Sequence, residues 1–506
     1  MEKLRSNPWL TRTSLGLFAI IIYFPIFLHL DYGGMKNFDE GYFSLRAFGM
    51  AHYGEYICQY ADMPESDSGV NTKPPLFTWV QASFFHILGY NELAFRLPIA
   101  LMVVALVALM LLFSKDLTGK LTWGYLSVLI MLTTPGMMKT HVARSGEHDL
   151  PFIFFIILQI VSFYLYLHSD LKDKKYLFWL GIGLILATWT KSAMALFTIP
   201  AFFLYALSER KLLPLLRDKH TWGLIGAYLL AVGGLYLYLS TQCPDFLSKV
   251  WRNDIVVRYS EVMDGHEHSW HWYVSLILPR DYLYWIPFTV VGIGIIFWKR
   301  DEMLPLFKLL GIVCIVWLTI IITAQTKLEW YICALYPLLG WMAGYGLWKI
   351  WEVILNQLKW ADGWKARLTG WLLLAAVFAY PYYTVIDNVY FSDWFSGEPE
   401  RYAHLMQQVA ERSPDIQDYD VLYEGWNFHA SFYILVYNET KGYDIHRLRK
   451  REQLQVPAYV MVSQPGLIAY LKETYQWEAL HAREGAELLK LTPLTQAKET
   501  TIEGTQ

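Results

Sequence analysis

Residues 97–113 read LPIALMVVALVALMLLF and contain no charged side chain. A helix needs about 20 mainly apolar residues to cross the hydrocarbon core of a bilayer, and this segment approaches that length. The whole chain has the same bias: of its 506 residues, 55% are hydrophobic and 17% are charged, whereas soluble globular proteins carry roughly 25% charged residues. The sequence therefore predicts an integral membrane protein.

Further apolar segments of similar length bring the predicted number of transmembrane helices to about eleven. They lie at 13–30, 121–137, 150–167, 176–190, 193–208, 222–240, 283–298, 304–324, 330–348 and 368–386. A shorter apolar stretch at 74–89 begins with two prolines and carries Gln81 and His86, so we expect it to lie in the membrane interface. With that choice, the short basic segments between spans all fall on the side of the N-terminus. The positive-inside rule places that side in the cytoplasm.

The odd number of spans puts the C-terminal part of the chain on the outer face. From residue 387 the composition becomes mixed, with apolar runs at 419–423 and 459–462 and a helix-like segment at 467–475. We therefore predict a transmembrane domain at 1–386, a small periplasmic α/β domain at 387–491 and a disordered polar tail at 492–506. The topology and the short loops suit a bacterial inner membrane with a cytoplasmic N-terminus.

Charge and cysteine content exclude several classes of protein. The formal net charge of −3 does not suit a strongly basic protein that binds nucleic acid. The four cysteines, Cys58, Cys243, Cys314 and Cys333, have no CxxC spacing and do not indicate a metal or redox protein. Cys58 and Cys243 fall on the same predicted side of the membrane. A disulfide between them is an alternative, but two small apolar side chains are the simpler expectation.

The predicted external loops at 31–96, 138–149, 241–282 and 325–329 hold the polar motifs. These are NFDEGY at 37–42, TKPPL at 72–76, ARSGEHDLP at 143–151, GHEHSWHWY at 265–273 and TKLEWY at 326–331. Lysine and arginine stabilise the negative charge that develops on a leaving phosphate, and a carboxylate takes the proton from an attacking hydroxyl. The loops therefore suit a reaction on a phosphorylated, lipid-borne substrate at the membrane surface.

The order of these motifs resembles the polyprenyl-phosphate-dependent glycosyltransferases of the C fold, in particular the branch of the bacterial aminoarabinose (lipid A) transferases and the protein O-mannosyltransferases. The similarity covers residues 39–337. It implies an α-helical polytopic fold and the transfer of one sugar, with inversion, from a polyprenyl (undecaprenyl) phosphate. The implied acceptor is a hydroxyl or phosphate of an outer-face lipid, glycan or protein. Membrane lipids are the other implied partners.

The resemblance also implies roles for individual residues. Asp39 is the carboxylate that activates the acceptor, and Asp149 and Glu40 are further acidic residues of the catalytic site. The implied contacts of the donor phosphate are Lys73, Arg144, Arg258 and Lys327, together with Tyr42, which stands where aminoarabinose transferases carry an arginine. Each residue has a structural alternative: a helix cap for the acids and an interfacial anchor for the cations.

A metal ion and a transport function are left open by the sequence. His266, with His268 second, aligns with a loop histidine that holds a metal in aminoarabinose transferases together with a glutamate before the KPPL lysine. This chain has Thr72 at that position, so zinc, magnesium or manganese is not required, although Glu40, Asp149 or Glu267 offers a replacement ligand.

A multipass lipid or solute transporter is the alternative function. Transporters place ionisable groups near the membrane midplane and show repeated halves, and neither pattern is visible in this sequence.

Overall fold

The computed structural model describes residues 8–36, 38–59, 71–138, 141–262, 265–357, 364–390, 400–425 and 427–494. The chain divides into two compact units. We call the first, which comprises Met1–Leu30, Gly49–Gly89 and Leu93–Phe391, the membrane unit. The second, which comprises Asp31–Phe48, Tyr90–Glu92 and Ser392–Gln506, contains a β-sheet and is called the sheet unit. The predicted tail beyond residue 494 lies outside the described residues.

The described helices follow in chain order. They are α1 (Pro8–Phe27), α2 (Asp39–Tyr53), α3 (Leu76–Leu88), α4 (Glu92–Thr118), α5 (Thr122–Leu132), α6 (Pro135–Met138), α7 (Asp149–His168), α8 (Lys174–Lys191), α9 (Ile199–Ser208), α10 (Leu212–Arg217), α11 (Lys219–Gln242), α12 (Phe246–Lys249), α13 (Arg258–Ser260), α14 (Leu278–Tyr282), α15 (Ile286–Lys299), α16 (Leu304–Thr323), α17 (Tyr336–Gln357), α18 (Trp364–Tyr390), α19 (Glu400–Arg412), α20 (Phe428–Lys441) and α21 (Pro465–Thr474). Short 3₁₀ turns occur at Ser192–Thr198, Leu283–Trp285, Glu329–Leu335 and Arg451–Gln453, and π-helical turns at Val250–Val257 and Tyr273–Ile277.

Within the described residues, seven helical segments are long and apolar enough to cross a membrane. They are Glu92–Thr118, Asp149–His168, Lys174–Ser208, Lys219–Gln242, Tyr273–Lys299, Leu304–Thr323 and Thr369–Val389, and three shorter apolar helices cover Arg12–Phe27, Leu76–Leu88 and Thr122–Leu132. The predicted α-helical polytopic fold is confirmed. The stretch at 74–89, which we expected in the interface, forms a helix of only 13 residues.

The number of spans differs from the prediction for local reasons. The predicted spans 176–190 and 193–208 form one helical stretch, in which Ser192 has a left-handed φ of 52° and α8 gives way to a 3₁₀ turn. The predicted span 121–137 is interrupted because Pro135 follows α5 closely, and a proline disfavours helical geometry in the residue before it. The predicted span 330–348 begins as a 3₁₀ turn and becomes α-helical only at Tyr336.

Close backbone packing and two hydrogen-bonded tryptophans occur in the interior of the membrane unit. A Cβ atom on Gly346 of α17 would overlap the carbonyl oxygen of Phe288 in α15, so only glycine allows these helices to approach so closely. Trp123 is fully buried, and its indole N–H donates to the carbonyl of Trp341 at 2.9 Å. The indole of Trp341 donates to the Ser114 hydroxyl at 3.2 Å. Both buried donors are therefore paired, as packing in an apolar interior requires.

The sheet unit confirms the predicted small α/β domain. Its strands are β1 (Asp418–Leu422), β2 (Asp444–Leu448), β3 (Ala458–Val462), β4 (Gln476–Arg483) and β5 (Ala486–Thr492), in the order β2-β1-β3-β5-β4. The central strand β1 is parallel to both β2 and β3, whereas β5 is antiparallel to β3 and β4. Helix α20 connects β1 to β2, as a parallel pair requires a crossover. The sequence did not predict that residues 31–48 belong to this unit.

Cys58 and Cys243 form a disulfide in the membrane unit. This corrects our simpler expectation of two unlinked apolar side chains. The bridge lies in a small apolar cluster with Ile57, Leu239 and Phe246. Sequence spacing carries no sign of this pairing, because 185 residues separate the two cysteines.

Candidate active site

A buried polar network fixes the backbone of Lys73. The amide of Gln59 donates to the Lys73 carbonyl at 2.7 Å, and the side chain of Asn71 accepts from the Lys73 backbone N–H at 3.0 Å. The side chains of Asn71 and Thr78 both donate to the side-chain oxygen of Gln59 at 2.9 Å. Gln59 and Asn71 are each only 2% exposed. Lys73 therefore occupies a defined position, and Gln59 directly follows the bridged Cys58.

Asp149 is the first residue of α7 and forms an ion pair with Lys191, the last residue of α8. The Lys191 Nζ lies 2.5 Å from an Asp149 carboxylate oxygen, and the two side chains are 12% and 10% exposed, respectively. The left-handed φ of the next residue, Ser192, interrupts the helix directly after Lys191. Such a conformation is costly for a residue other than glycine and is characteristic of functional sites. In the sequence, Lys191 lies in the short outer turn between the predicted spans 176–190 and 193–208.

His148 connects this ion pair to Lys73. Its Nε2 lies 3.1 Å from the side-chain oxygen of Gln81, whose amide donates to the Gly146 carbonyl at 2.5 Å. Burial, together with the positive charges of Lys191 and Lys73, lowers the pKa of His148 to about 3. The imidazole is therefore neutral at pH 7, and two lysines lie within electrostatic range of it. The structure thus pairs Lys191 with Asp149, and the charge of Lys73 acts on the adjacent His148.

His141 and Glu147 form a second polar pair in the same loop, which sequence reasoning missed. The His141 Nδ1 is hydrogen-bonded to the Glu147 carboxylate. The imidazole also stacks on Trp330, with ring centroids 3.8 Å apart. His141 has a left-handed φ of 74°, and the Glu147 side chain is 2% exposed. The pair therefore holds a buried carboxylate next to the aromatic TKLEWY turn.

Arg144 contacts the C-terminal end of α1 rather than an open site. Its guanidinium donates to the carbonyls of Pro25, Ile26 and Leu28 at 3.0, 3.2 and 2.6 Å. Burial lowers the pKa of Arg144 to about 9, and the charge of Arg96 adds to the shift. These carbonyls have no partner inside the helix, so Arg144 caps α1. We therefore leave Arg144 out of the donor site proposed below.

Arg258 and Lys327 lie at the junction between the 241–282 loop and the 325–329 turn. The Arg258 Nη1 donates to the Tyr331 hydroxyl at 2.7 Å. The Lys327 ammonium donates to the carbonyl of Ala324 at 2.8 Å, just beyond α16, and this lysine is 6% exposed. Backbone hydrogen bonds join the two segments, including Lys327 N–H to His266 O at 3.1 Å. Arg258 thus retains a polar, phosphate-compatible environment, whereas Lys327 has a capping contact.

His266 and His268 do not form a metal site with the residues that the structure describes. His268 stacks on Trp272, with ring centroids 3.8 Å apart and nearly parallel planes. Neither histidine belongs to a described group of three side chains with ligand atoms close enough to share an ion. The donor set therefore does not fit a metal at these histidines, and the proposal below includes no step through a metal.

Asp39, Glu40 and Tyr42 lie in the sheet unit, at the start of α2. Asp39 is half-buried, whereas Glu40 is fully buried and accepts a 2.9 Å hydrogen bond from the Lys36 backbone N–H. That bond links the segment before α2 to the first turn of the helix. The Tyr42 hydroxyl accepts from Arg46 at 2.8 Å, and the Arg46 guanidinium lies 4.3 Å from the Tyr42 ring centroid. Tyr42, which we predicted at the donor phosphate, is thus paired with an arginine one helical turn further along.

Comparisons with known proteins bear on the fold and on the family resemblance of this chain. Residues 72–236 match the family model described as dolichyl-phosphate-mannose-protein mannosyltransferase. An uncharacterised protein from Aquifex aeolicus (strain VF5) is 31% identical over 224 residues, which are 44% of this chain and 42% of that protein. The chain thus matches less than half the length of this relative.

Two solved structures show the same fold. ArnT from Cupriavidus metallidurans bound to undecaprenyl phosphate aligns with a TM-score of 0.69 at 16% identity, covering 94% of this chain and 98% of ArnT. The archaeal oligosaccharyltransferase AglB from Archaeoglobus fulgidus, in complex with an inhibitory peptide and a dolichol-phosphate, aligns with a TM-score of 0.55 at 10% identity, covering 97% of this chain and 75% of AglB. These similarities confirm the resemblance that the motif order indicated.

Proposed function

We propose that this chain, which has the fold of the C-type membrane glycosyltransferases, transfers a single sugar from a polyprenyl-phosphate donor to an outer-face acceptor. The observation that carries the proposal is the buried Lys191–Asp149 ion pair at the start of α7, directly after His148, whose pKa is lowered by burial and by the positive charges of both Lys191 and Lys73. Positive charge beside the N-terminal end of a helix favours an anionic group such as a phosphate. A polyprenyl donor presents that phosphate at the membrane surface.

The reaction follows from the chemistry of such a donor. The oxygen of an acceptor hydroxyl attacks the anomeric carbon while the bond from that carbon to the phosphate oxygen breaks. The leaving polyprenyl phosphate gains a second negative charge, which Lys73 and Arg258 stabilise electrostatically. The carboxylate of Asp39 accepts the proton of the acceptor hydroxyl. Because the nucleophile attacks opposite the leaving group in one step, the transfer inverts the anomeric configuration.

Asp149 has a supporting role in this proposal. Its ion pair with Lys191 holds the lysine at the start of α7, where an ammonium group would otherwise extend toward water. A bound phosphate competes with Asp149 for the same ammonium group. We therefore assign Lys191 to the donor site together with Lys73, and Asp149 to the control of its position.

The site is proposed to face the periplasm of a bacterial inner membrane. The Cys58–Cys243 disulfide supports this orientation, because disulfides persist in oxidising compartments and are rare in the cytosol. The bridge joins two of the predicted external loops. The acceptor classes that suit the site are lipid A, another glycolipid, a glycan and a protein hydroxyl.

Mass spectrometry of a reconstituted reaction tests the proposal. Purified protein in nanodiscs is incubated with extracted polyprenyl-phosphate sugars and a cell-envelope acceptor pool. The expected result is a sugar-sized mass gain on one acceptor with the wild type and none with Asp39→Asn, because the amide cannot accept the proton. Asp245→Asn is the matched control, since Asp245 is exposed and lies in another predicted outer loop. Turnover by Asp39→Asn at the wild-type rate would remove Asp39 from the mechanism.

A Lys73→Ala variant separates donor binding from chemistry in the same assay. We expect a higher KM for the donor and a lower kcat, because the lysine contacts the phosphate before and during bond cleavage. Lys120→Ala is the control, since the Lys120 side chain is 63% exposed. Unchanged kinetics would return Lys73 to the role of an interfacial anchor. Lipid movement in proteoliposomes without any mass gain would favour the transporter instead.

A further inference from the structure

The first turn of α2 packs against the backbone of α20 within the sheet unit. A Cβ atom built on Gly41 would lie 2.5 Å from the backbone nitrogen of His429 and 2.9 Å from the carbonyl carbon of Phe428. Ordinary van der Waals contacts begin at 3.4 Å. Gly41 is the second residue after Asp39. The segment that carries the proposed proton acceptor is thus in direct backbone contact with a helix of the C-terminal sheet domain.

A hydrogen-bonded tyrosine of α20 holds the chain that leads to Asp39. The Tyr433 hydroxyl accepts from the backbone N–H of Met35 at 2.6 Å and donates to a Glu92 carboxylate oxygen at 2.5 Å. Met35 is fully buried, and Tyr433 is 8% exposed. One hydroxyl therefore fixes both the segment before α2 and the start of α4.

Aromatic contacts complete the attachment on both sides of Asp39. The ring of Phe428, the first residue of α20, lies 5.3 Å from that of Phe38 and 5.6 Å from that of Tyr42, both in edge-to-face geometry. Such pairs add about 0.5–1.5 kcal/mol to simple burial. Residues on either side of Asp39 are thus held by the same residue of α20.

We propose that α20 positions the Asp39 carboxylate for sugar transfer, with Gly41 and Tyr433 as positioning residues. The inference rests on the proposed function, because it takes Asp39 as the proton acceptor. It gives the C-terminal domain a part in catalysis through residues that do not touch substrate. In this role Gly41 sets the distance between α2 and α20, and Tyr433 sets the path of the chain into α2.

The size of the effect follows from the contact distances. A methyl group at Gly41 must move from 2.5 Å to about 3.4 Å from a backbone atom, a displacement of roughly 1 Å. A misplacement of about 1 Å costs about 100-fold in rate when it affects a catalytic group. We therefore expect Gly41→Ala to lower kcat by about 10- to 100-fold. Tyr433→Phe, which removes one hydroxyl without a clash, should lower kcat by about 10-fold.

The experiment measures kcat, the donor KM and the amount of polyprenyl phosphate bound per protein in nanodiscs. Both variants should keep the wild-type donor KM and the wild-type bound amount, because the lysines of the donor site belong to the membrane unit. The matched controls should keep the wild-type kcat. Gly466→Ala adds the same methyl group to a helix of the sheet unit where nothing lies within 4 Å. Tyr437→Phe removes a hydroxyl from α20 itself, one turn further along.

Two results would overturn the positioning role. One is a kcat within twofold of wild type in both variants. The other is a loss of activity that parallels a loss of bound donor, since this would indicate a general structural defect. Wild-type turnover by Asp39→Asn refutes the proposed function and the positioning role together. An inactive Asp39→Asn beside fully active Gly41→Ala and Tyr433→Phe refutes the positioning role alone.

Discussion

Replacing Lys191 with methionine leaves the Asp149 carboxylate without its cation at the start of α7. The two groups lie 2.5 Å apart, and their side chains are only 12% and 10% exposed. Removing one partner of a buried ion pair costs about 3–5 kcal/mol, mostly because the other charge remains in a poor solvent environment. Because both side chains keep some contact with solvent, we take the lower end, about 3 kcal/mol. We therefore expect Lys191→Met to lower the thermal unfolding midpoint clearly.

A double substitution isolates the pair from its surroundings. In Lys191→Met/Asp149→Asn both charges are gone, so the buried carboxylate no longer requires compensation. The double variant should be more stable than Lys191→Met alone, because substitutions at two residues in contact are not additive. Lys175→Met is the control on the same helix: its ion pair with Asp173 is mostly exposed, with 62% and 37% of the side chains accessible. Surface pairs of this kind contribute little.

Thermal unfolding in nanodiscs and initial rates of transfer provide the two assays. All variants that lack Lys191 should bind the donor more weakly, whether or not Asp149 is neutralised, because the ammonium group is proposed to contact the phosphate. The double variant should therefore regain part of the stability that Lys191→Met loses, but it should not regain donor binding. The reasoning is refuted if Lys191→Met unfolds at the wild-type midpoint. It is also refuted if the double variant is no more stable than Lys191→Met.

Two further predictions concern pH and the disulfide. Burial lowers the pKa of His429 from 6.5 to about 3, so below pH 6.5 the unfolded chain binds a proton that the native state does not. The free energy of unfolding should therefore fall as the pH drops, by about 2 kcal/mol at pH 5 from this residue. We expect His429→Gln to reduce the dependence of the unfolding midpoint on pH between pH 7 and 5. An equal dependence in the variant and the wild type would contradict this prediction. Cys58→Ser should raise the donor KM, because Cys58 precedes Gln59, whose side chain donates to the Lys73 carbonyl. A reductant should raise the donor KM of the wild type in the same way and leave the variant unchanged. A reductant effect in Cys58→Ser would exclude the disulfide as the cause.

The membrane fold could be predicted because its signal is local. A run such as residues 97–113 has no stable place except an apolar environment, whatever the rest of the chain does. The boundaries were less predictable, since they depend on single residues within apolar runs. The predicted spans 176–190 and 193–208 form one helical stretch with a 3₁₀ turn from Ser192, and apolar sequence alone does not distinguish such a turn from a loop between two spans. Hydropathy therefore identifies apolar segments better than it counts spans.

The attachment of Asp39 to the sheet unit was not predictable for the opposite reason. Gly41 and His429 are 388 positions apart in the sequence, and their contact depends on the whole intervening chain. A glycine directly after two acids reads equally well as a turn. The same limit applies to the Cys58–Cys243 bridge and to the stacking of His141 on Trp330. Long-range pairs leave no periodic pattern in a single sequence.

Cations near the ends of spans illustrate why residue type alone did not define the donor site. Arg144, Lys327 and Lys73 were equivalent in the sequence, since each is a cation in an outer loop next to an apolar segment. The end of a helix exposes carbonyls that need donors, and a phosphate needs the same donors. Arg144 and Lys327 donate to such carbonyls. In contrast, the side-chain amides of Gln59 and Asn71 fix the Lys73 backbone, and the charge of Lys73 contributes to the lowered pKa of His148. The partner that the structure shows, rather than the charge, therefore identifies Arg144 and Lys327 as capping cations.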